Sequence, residues 1–331
     1  MKKLINQPEN VVTEMVAGFV AAYPSRLKQV PGTNVIVRAD APVKGKVGIV
    51  SGGGSGHEPA HGGYVGQGML DGAVAGEVFT SPTPDQVFEA IKAVDGGKGV
   101  LLIIKNYTGD VMNFEMAAEL AEAEGITVEK VIVNDDAAVE NSTYTIGKRG
   151  IAGTVFVHKI AGALADAGGT LEEVTAVAKK AIAHSSSMGM ALTPCTIPAA
   201  GKPGFSIGEN EMEIGMGIHG EPGIERTGIK SADEVADILL KKVLAQLELE
   251  GQSKVALMIN GLGATPLMEL YIINNRVSAV LKEKQIAVHE TFIGEYMTSL
   301  EMAGCSITLL KLDDQLTRLL DAKSDTVAFK K

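Results

Sequence analysis

Gly99-Val100-Leu101-Leu102-Ile103-Ile104 is an apolar run behind a glycine, and Lys105-Asn106-Tyr107-Thr108-Gly109-Asp110 follows it directly. A short, uninterrupted apolar run reads as a strand covered on both faces, the pattern of a parallel sheet between helices. The flanking segments agree. Asn34-Val35-Ile36-Val37-Arg38 and Lys46-Val47-Gly48-Ile49-Val50 read as strands. Thr83-Pro84-Asp85-Gln86 reads as a capping box opening a helix through Val87, Ile91 and Val94 to a stop at Gly96-Gly97. A further helix is expected from about Val111 to Glu124 and a strand over Val128 to Val133. Alternating strands and helices predict a mostly parallel sheet flanked by helices.

At 331 residues the chain is long enough for two domains. Residues 153–183 read as helical, with a capping box at Thr170-Leu171-Glu172-Glu173. From Ala181 to Gly201 there is no formal charge, but serines, prolines and glycines interrupt the run, so it reads as a connector and not a membrane span. The expected division is an N-terminal α/β domain over 1–184 and a smaller C-terminal α/β domain with a mixed sheet over 185–331. Phe205-Ser206-Ile207-Gly208 and Glu211-Met212-Glu213-Ile214-Gly215-Met216 alternate like a half-exposed strand pair. Ser231-Ala232-Asp233-Glu234 caps a helix, Lys254 to Ile259 is a strand, Pro266 to about Lys284 a helix, and Ser306 to Ala322 a strand followed by a helix.

Composition narrows the function. Apolar residues are 45% and charged residues 21%, ordinary for a globular protein. There are 39 glycines, about 12% of the chain against a usual ~7%, while aromatics are only 4%. Such a chain has many tight backbone turns, suited to small polar ligands. A net charge of −10 argues against nonspecific binding of nucleic acid or an anionic membrane surface. Two distant cysteines, Cys195 and Cys305, and no apolar stretch behind Met1-Lys2-Lys3, lead to the expectation of a cytoplasmic protein without disulfides.

Three segments carry candidate chemistry. Ser51-Gly52-Gly53-Gly54-Ser55-Gly56-His57-Glu58-Pro59 follows a strand, and its four glycines within five residues exceed what a turn needs, so it reads as a ligand-facing loop before a helix. It matches neither a Walker A loop nor a dinucleotide fingerprint. His57-Glu58-Pro59-Ala60-His61 fits the HExxH pattern of zinc hydrolases, a remote alternative, because Pro59 and the surrounding glycines break the continuous helix that zinc chemistry requires. In the second segment, 105–110, Lys105 suits an oxyanion or hydroxyl and Asp110 suits a proton acceptor. Their bland readings are a solvated strand end and a helix N-cap. In open α/β sheets, ligands lie beyond the C-terminal strand ends, so both segments are expected to face one crevice. The third is Gly215-Met216-Gly217-Ile218-His219-Gly220-Glu221-Pro222-Gly223, where glycines let a small molecule approach the histidine. Imidazole can serve there as base, metal ligand or nucleophile, and the bland reading is an idle surface turn. His158, His184 and His289 read as core or surface residues.

GGGSGHEPAHGG at 52–63, KNYTGD at 105–110 and GIHGEPG at 217–223, in that order, resemble the dihydroxyacetone-binding subunit of dihydroxyacetone kinase, over essentially the whole chain. The resemblance implies a two-domain α/β fold and a homodimer. It implies that His219 binds the ketone of dihydroxyacetone covalently as a hemiaminal. Gly54, Ser55, Gly56, His57, Lys105 and Asp110 match substrate-holding positions, and His57 and Asp110 match the acid/base residues. No metal site is expected on this chain. It shows no P-loop, no clustered Asp motif for Mg²⁺, and no further C-terminal domain after Ala328-Phe329-Lys330-Lys331. The resemblance therefore points to the stand-alone subunit of the phosphoenolpyruvate-dependent bacterial system, where a partner subunit carries ADP and Mg and is charged by a phosphotransferase-system phosphocarrier. A paralogue that senses dihydroxyacetone for transcriptional control, without turnover, is the alternative.

Overall fold

A computed structural model describes residues 2–140, 147–249 and 252–331. In chain order the elements are α1 (Val11–Ala22), β1 (Leu27–Gln29), β2 (Val35–Arg38), β3 (Gly48–Ser55), β4 (Gly66–Gln67), β5 (Gly72–Val78), α2 (Pro84–Val94), β6 (Val100–Lys105), α3 (Thr108–Ala123) and β7 (Val128–Val133). Then come α4 (Thr154–Asp166), α5 (Leu171–Ala183), β8 (Ser185–Ala191), β9 (Glu211–Ile214), β10 (Glu225–Gly228), α6 (Ala232–Gln246) and β11 (Lys254–Gly261). The chain continues through α7 (Leu267–Glu283), β12 (Ala287–Gly294), β13 (Gly304–Leu312), α8 (Asp314–Asp321) and β14 (Asp325–Thr326).

The first sheet has the order β1-β2-β5-β3-β6-β7. β5, β3, β6 and β7 run parallel, with an antiparallel edge at β2 and β1. The second sheet, β10-β9-β8-β13-β11-β12, also has six strands and is mixed, parallel only between β11 and β12. This is the α/β architecture that the alternating pattern predicts.

Side-chain alternation along the central strands sorts the cores. Val50, Leu102 and Ile104 face α2 and α3, where Val87, Ile91, Val94 and Phe114 meet them. Ile49, Leu101 and Ile103 face the opposite way, into a core shared by Val155, Ile160, Val174 and Val177 of α4 and α5. Ala256, Met258 and Leu310 of the second sheet belong to that same core. Leu257, Ile259 and Leu309 point outward to Leu239, Leu240, Leu270 and Val277 of α6 and α7. The order is thus helices, sheet, helices, sheet, helices, with the middle helical layer buried between two sheets.

Several local expectations change. The uncharged run at 185–191 is not connector but β8, buried throughout and paired with β13 and β9. Two of its three serines are accommodated by hydrogen bonds: Ser185 Oγ donates to Ala181 O and Ser187 Oγ bonds Asp135 and Thr308, while Ser186 Oγ is buried without a partner. Phe205 to Gly208 forms no strand, and β9 pairs with β10 instead. Thr83 is the N-cap of α2, but its side chain makes no capping bond. The capping boxes at Thr170 and Ser231 are both closed.

Candidate functional site

The site begins where two parallel strands part. β3 pairs with β6 only up to Ser51↔Ile103, while its glycine segment continues alongside β5 as far as Ser55↔Val78. Lys105, at the end of β6, pairs instead with Val133 of β7. The crevice between the diverging ends receives the Lys105 side chain, which has no solvent exposure. Gly53 is indispensable here. Its φ is +153°, and a Cβ on it would stand 2.4 Å from Lys105 Nζ. The glycines are therefore strand and wall, not the turn before a helix that the sequence suggests. The segment after them is a set of turns.

Lys105 is buried and partnered, not a solvated strand end. Its Nζ lies 2.9 Å from His61 Nε2 and 3.8 Å from Asp110 Oδ2, and it donates to Gly52 O at 3.4 Å. Burial pushes the Lys105 ammonium down from its ordinary value, and Asp110 opposes that shift. Asp110 sits in the first turn of α3, three residues after its N-cap Tyr107, so it is not itself the N-cap. A carboxylate there gains from the free N–H groups and the positive end of the helix.

The second half of the chain supplies the third segment. Gly215 N–H donates to Gly189 O of β8 at 2.7 Å, and Arg149 Nη2 donates to Gly215 O at 2.8 Å. These bonds pin the start of a loop that Glu221 then closes. Glu221 accepts from the His219 backbone N–H at 2.9 Å and from His219 Nδ1 at 3.0 Å. Burial alone would push the Glu221 carboxyl up, but His219 and Arg149 hold it down at about 2. A carboxylate only accepts, so Nδ1 is the donor, and in the neutral ring the lone pair is on Nε2. The ring stands edge-on to Tyr107, His57 and Phe79, with centroids at 4.5, 4.7 and 5.2 Å. It is not an idle surface turn.

His57 is fully buried and stacks on Phe79 at 5.1 Å. A Cβ on Gly56 would strike that Phe79 ring at 2.7 Å. His57 Nδ1 donates to Thr298 O at 2.7 Å, which puts its lone pair on Nε2, and Nε2 is buried without a partner. Burial foremost, then His219 and Lys105, lower the His57 pKa well below its ordinary value, so the ring is neutral. Together these groups line or back a cleft of about 680 Å³ walled by Gly54, Tyr107, Asp110, Asn113 and His219. The arrangement offers one half-buried imidazole on the cleft wall, one neutral imidazole behind it, and a carboxylate paired loosely with an ammonium.

Not every expected residue offers a free donor. Ser55 Oγ is spent on Gly76 O, and Gly56 N–H is held by the Glu58 carboxylate. Both shape the wall. The HExxH pattern forms no helix, and its two histidines diverge: His57 bonds Thr298, whereas His61 bonds Lys105 and His158. That overturns the two-ligand face of a zinc hydrolase. No cluster of three metal-ligating side chains exists among the described residues. Sequence reasoning missed Glu221, His61 and Arg149. Glu221 had a signal, standing two residues from His219 inside the same motif; the others act only through distant partners.

The comparisons with known proteins agree. The Dak1 domain model matches residues 17–328. The chain is 54% identical over 330 residues to "PTS-dependent dihydroxyacetone kinase 1, dihydroxyacetone-binding subunit DhaK" of Listeria innocua, covering 99% of this chain and 100% of the relative. It is 47% identical over 353 residues to the "PEP-dependent dihydroxyacetone kinase, dihydroxyacetone-binding subunit DhaK" of Escherichia coli, covering 99% of each. Among solved structures it is similar to the "Dihydroxyacetone kinase operon co-activator Dha-DhaQ", with a TM-score of 0.90 and 36% identity over 96% of this chain and 98% of that one. It is also similar to the dihydroxyacetone kinase from C. freundii in complex with AMP-PNP and Mg²⁺, with a TM-score of 0.89 and 38% identity over 99% of this chain and 61% of that one. The chain belongs to the Dak1 domain family.

Proposed function

We propose that this chain is the dihydroxyacetone-binding subunit of a dihydroxyacetone kinase and holds its substrate covalently on His219. The observation that carries the reading is the Nδ1 bond of His219 to Glu221 at 3.0 Å, which leaves the Nε2 lone pair on a ring that walls the cleft. That lone pair adds to the ketone carbon, and the carbonyl π pair moves to oxygen. The oxygen takes one proton from the medium, relayed by His57 Nε2. The positive charge left on the imidazole ring is held by Glu221. Glycerol has no carbonyl and is refused by chemistry, where shape alone would discriminate poorly between near-isosteres. Gly54, Ser55 and Gly56 shape the wall, while Lys105 and Asp110 meet the substrate hydroxyls.

Once anchored, the substrate presents a terminal hydroxyl in fixed orientation. Asp110 takes its proton as the O–P bond forms and the bond to the departing nucleotide breaks. In this reading the nucleotide and Mg belong to a partner subunit charged by a phosphotransferase-system phosphocarrier, this chain carries no cofactor, and it works as a cytoplasmic homodimer. No helix among the described residues is long and apolar enough to cross a membrane. The similarity to an operon co-activator supports a second reading, a sensor without turnover, but the higher identity to kinase subunits favours the enzyme.

Calorimetric titration of dihydroxyacetone and glycerol into wild type and His219→Ala tests the binding step. Wild type should bind the ketone and not glycerol, and the variant should lose the ketone. Equal binding by His219→Ala overturns the covalent step. Phosphoryl transfer with an ADP-loaded partner then separates enzyme from sensor.

A further inference from the structure

Behind the cleft lies a chain of buried polar groups of which the proposed reaction uses only the first, Lys105. It runs from Lys105 to His61 Nε2 at 2.9 Å, and from His61 Nδ1 to His158 Nε2 at 3.0 Å. An ammonium only donates, so His61 Nε2 accepts and its proton sits on Nδ1. That proton points at His158 Nε2, which must then accept. The His158 proton is left on Nδ1, which is buried without a partner. The chain is therefore polarised in one direction from the lysine inward, and it ends on an unsatisfied donor that an ordinary core pair would avoid.

We propose that His61 is a positioning residue, whose neutral lone pair holds the Lys105 ammonium behind the cleft wall beside Asp110, while leaving its charge free for Asp110 and the substrate hydroxyl. The proposal rests on the functional reading above. A carboxylate at position 61 would close on the ammonium and cancel its charge. An apolar residue would leave Nζ with only the Gly52 carbonyl and the more distant Asp110. The charged and titratable groups facing Lys105 are Asp110 from α3, His57 and His61 from the turns after β3, and His158 from α4. Burial drives both His61 and His158 toward the neutral form, so neither competes with the lysine as a cation.

The test reads Lys105 directly, without turnover. The ε-carbon signal of Lys105 is assigned in isotope-labelled protein by its loss in Lys105→Met and followed against pH. A hydrogen bond to a charged group is worth one to two pKa units, so His61→Leu should lower the Lys105 midpoint by about that much. His61→Gln, whose amide oxygen can accept, should restore most of it. Should His61→Leu fail to fold, His61→Asn, with an amide too short to reach Nζ, replaces it. In turnover with the ADP-loaded partner, the alkaline limb of kcat/KM should move with the midpoint, and His61→Leu should add nothing in a Lys105→Met background. An unmoved Lys105 midpoint, or additive losses in the double variant, overturns the proposal. Absence of ketone binding by wild type, with the midpoint shift present, overturns the functional reading and leaves the role of His61 toward Lys105 standing.

Discussion

Two buried cation–carboxylate pairs flank the cleft, and they are built differently. Arg149 closes on Asp136 at 2.7 Å, with both side chains excluded from solvent, and spends another nitrogen on the Gly215 carbonyl. Lys105 stops 3.8 Å short of Asp110 and takes a neutral histidine as its nearest partner. The planar guanidinium suits a fixed, multi-point contact, while the ammonium is a compact charge that can be shared. The closed pair holds the loop that carries His219. The open pair leaves the Asp110 carboxylate on the cleft wall without a close contact to the ammonium. Under the proposed function, the tight pair has a structural duty and the loose pair stands at the reacting group.

That contrast can be broken in three ways. The largest effect is expected from Asp110→Asn. Loss of a positioned proton acceptor should lower phosphoryl transfer by about 10²–10⁴-fold with ketone affinity changed only a few-fold. Steady-state kinetics with the partner subunit, beside calorimetry of the ketone, separate the two. If binding collapses along with turnover, the open pair is structural as well. Arg149→Met comes next. Removing one member of a buried pair strands the other, so stability should fall by about 3–5 kcal/mol, measured by urea denaturation. Lys105→Met should cost clearly less, and equal losses would erase the distinction between the pairs.

The smallest effect concerns acid stability. Burial foremost, with Lys105 second, holds His158 down at about 3. The unfolded chain, with an ordinary histidine near 6.5, takes up a proton that the folded chain refuses. Stability on this account is lost as pH falls below about 6.5, and the loss continues to the folded value. Between pH 6.5 and 5, wild type should lose about 2 kcal/mol relative to His158→Gln. Urea midpoints over that range check it, with Asp136, whose own carboxyl is raised to about 6, common to both chains. Parallel pH curves would mean that His158 takes up its proton alike in the folded and the unfolded chain.

Legibility followed local chemistry. β6, α2 and β7 were readable because an apolar run, a helical period and turn residues all lie within one segment. β8 was not, because three serines and a glycine among methionines carry no strand pattern. Only its neighbours β13 and β9, with Asp135 receiving a serine hydroxyl, make that composition tolerable in a core. β12, an edge strand whose apolar residues are broken by His289, Glu290 and Thr291, left no clear strand pattern either. Asp110 was legible as a residue but not as a position, since both an N-cap and an acid in the first turn suit the same spacing.

By itself, the amino-acid order determined an α/β protein and three glycine-marked segments, with Lys105, Asp110 and His219 as candidates for the chemistry; the place of His57 among them came only with the family resemblance. The α/β pattern, the segments and those three candidates need only period, turn preference and side-chain type. Tertiary structure decided the rest: that β3 and β6 part to admit Lys105, that Glu221 orients His219, and that the second histidine of a false zinc pattern turns inward to the lysine. Each depends on through-space distances between residues far apart in the chain. Proton placement follows from the partner's chemistry at those distances, and no local pattern encodes it.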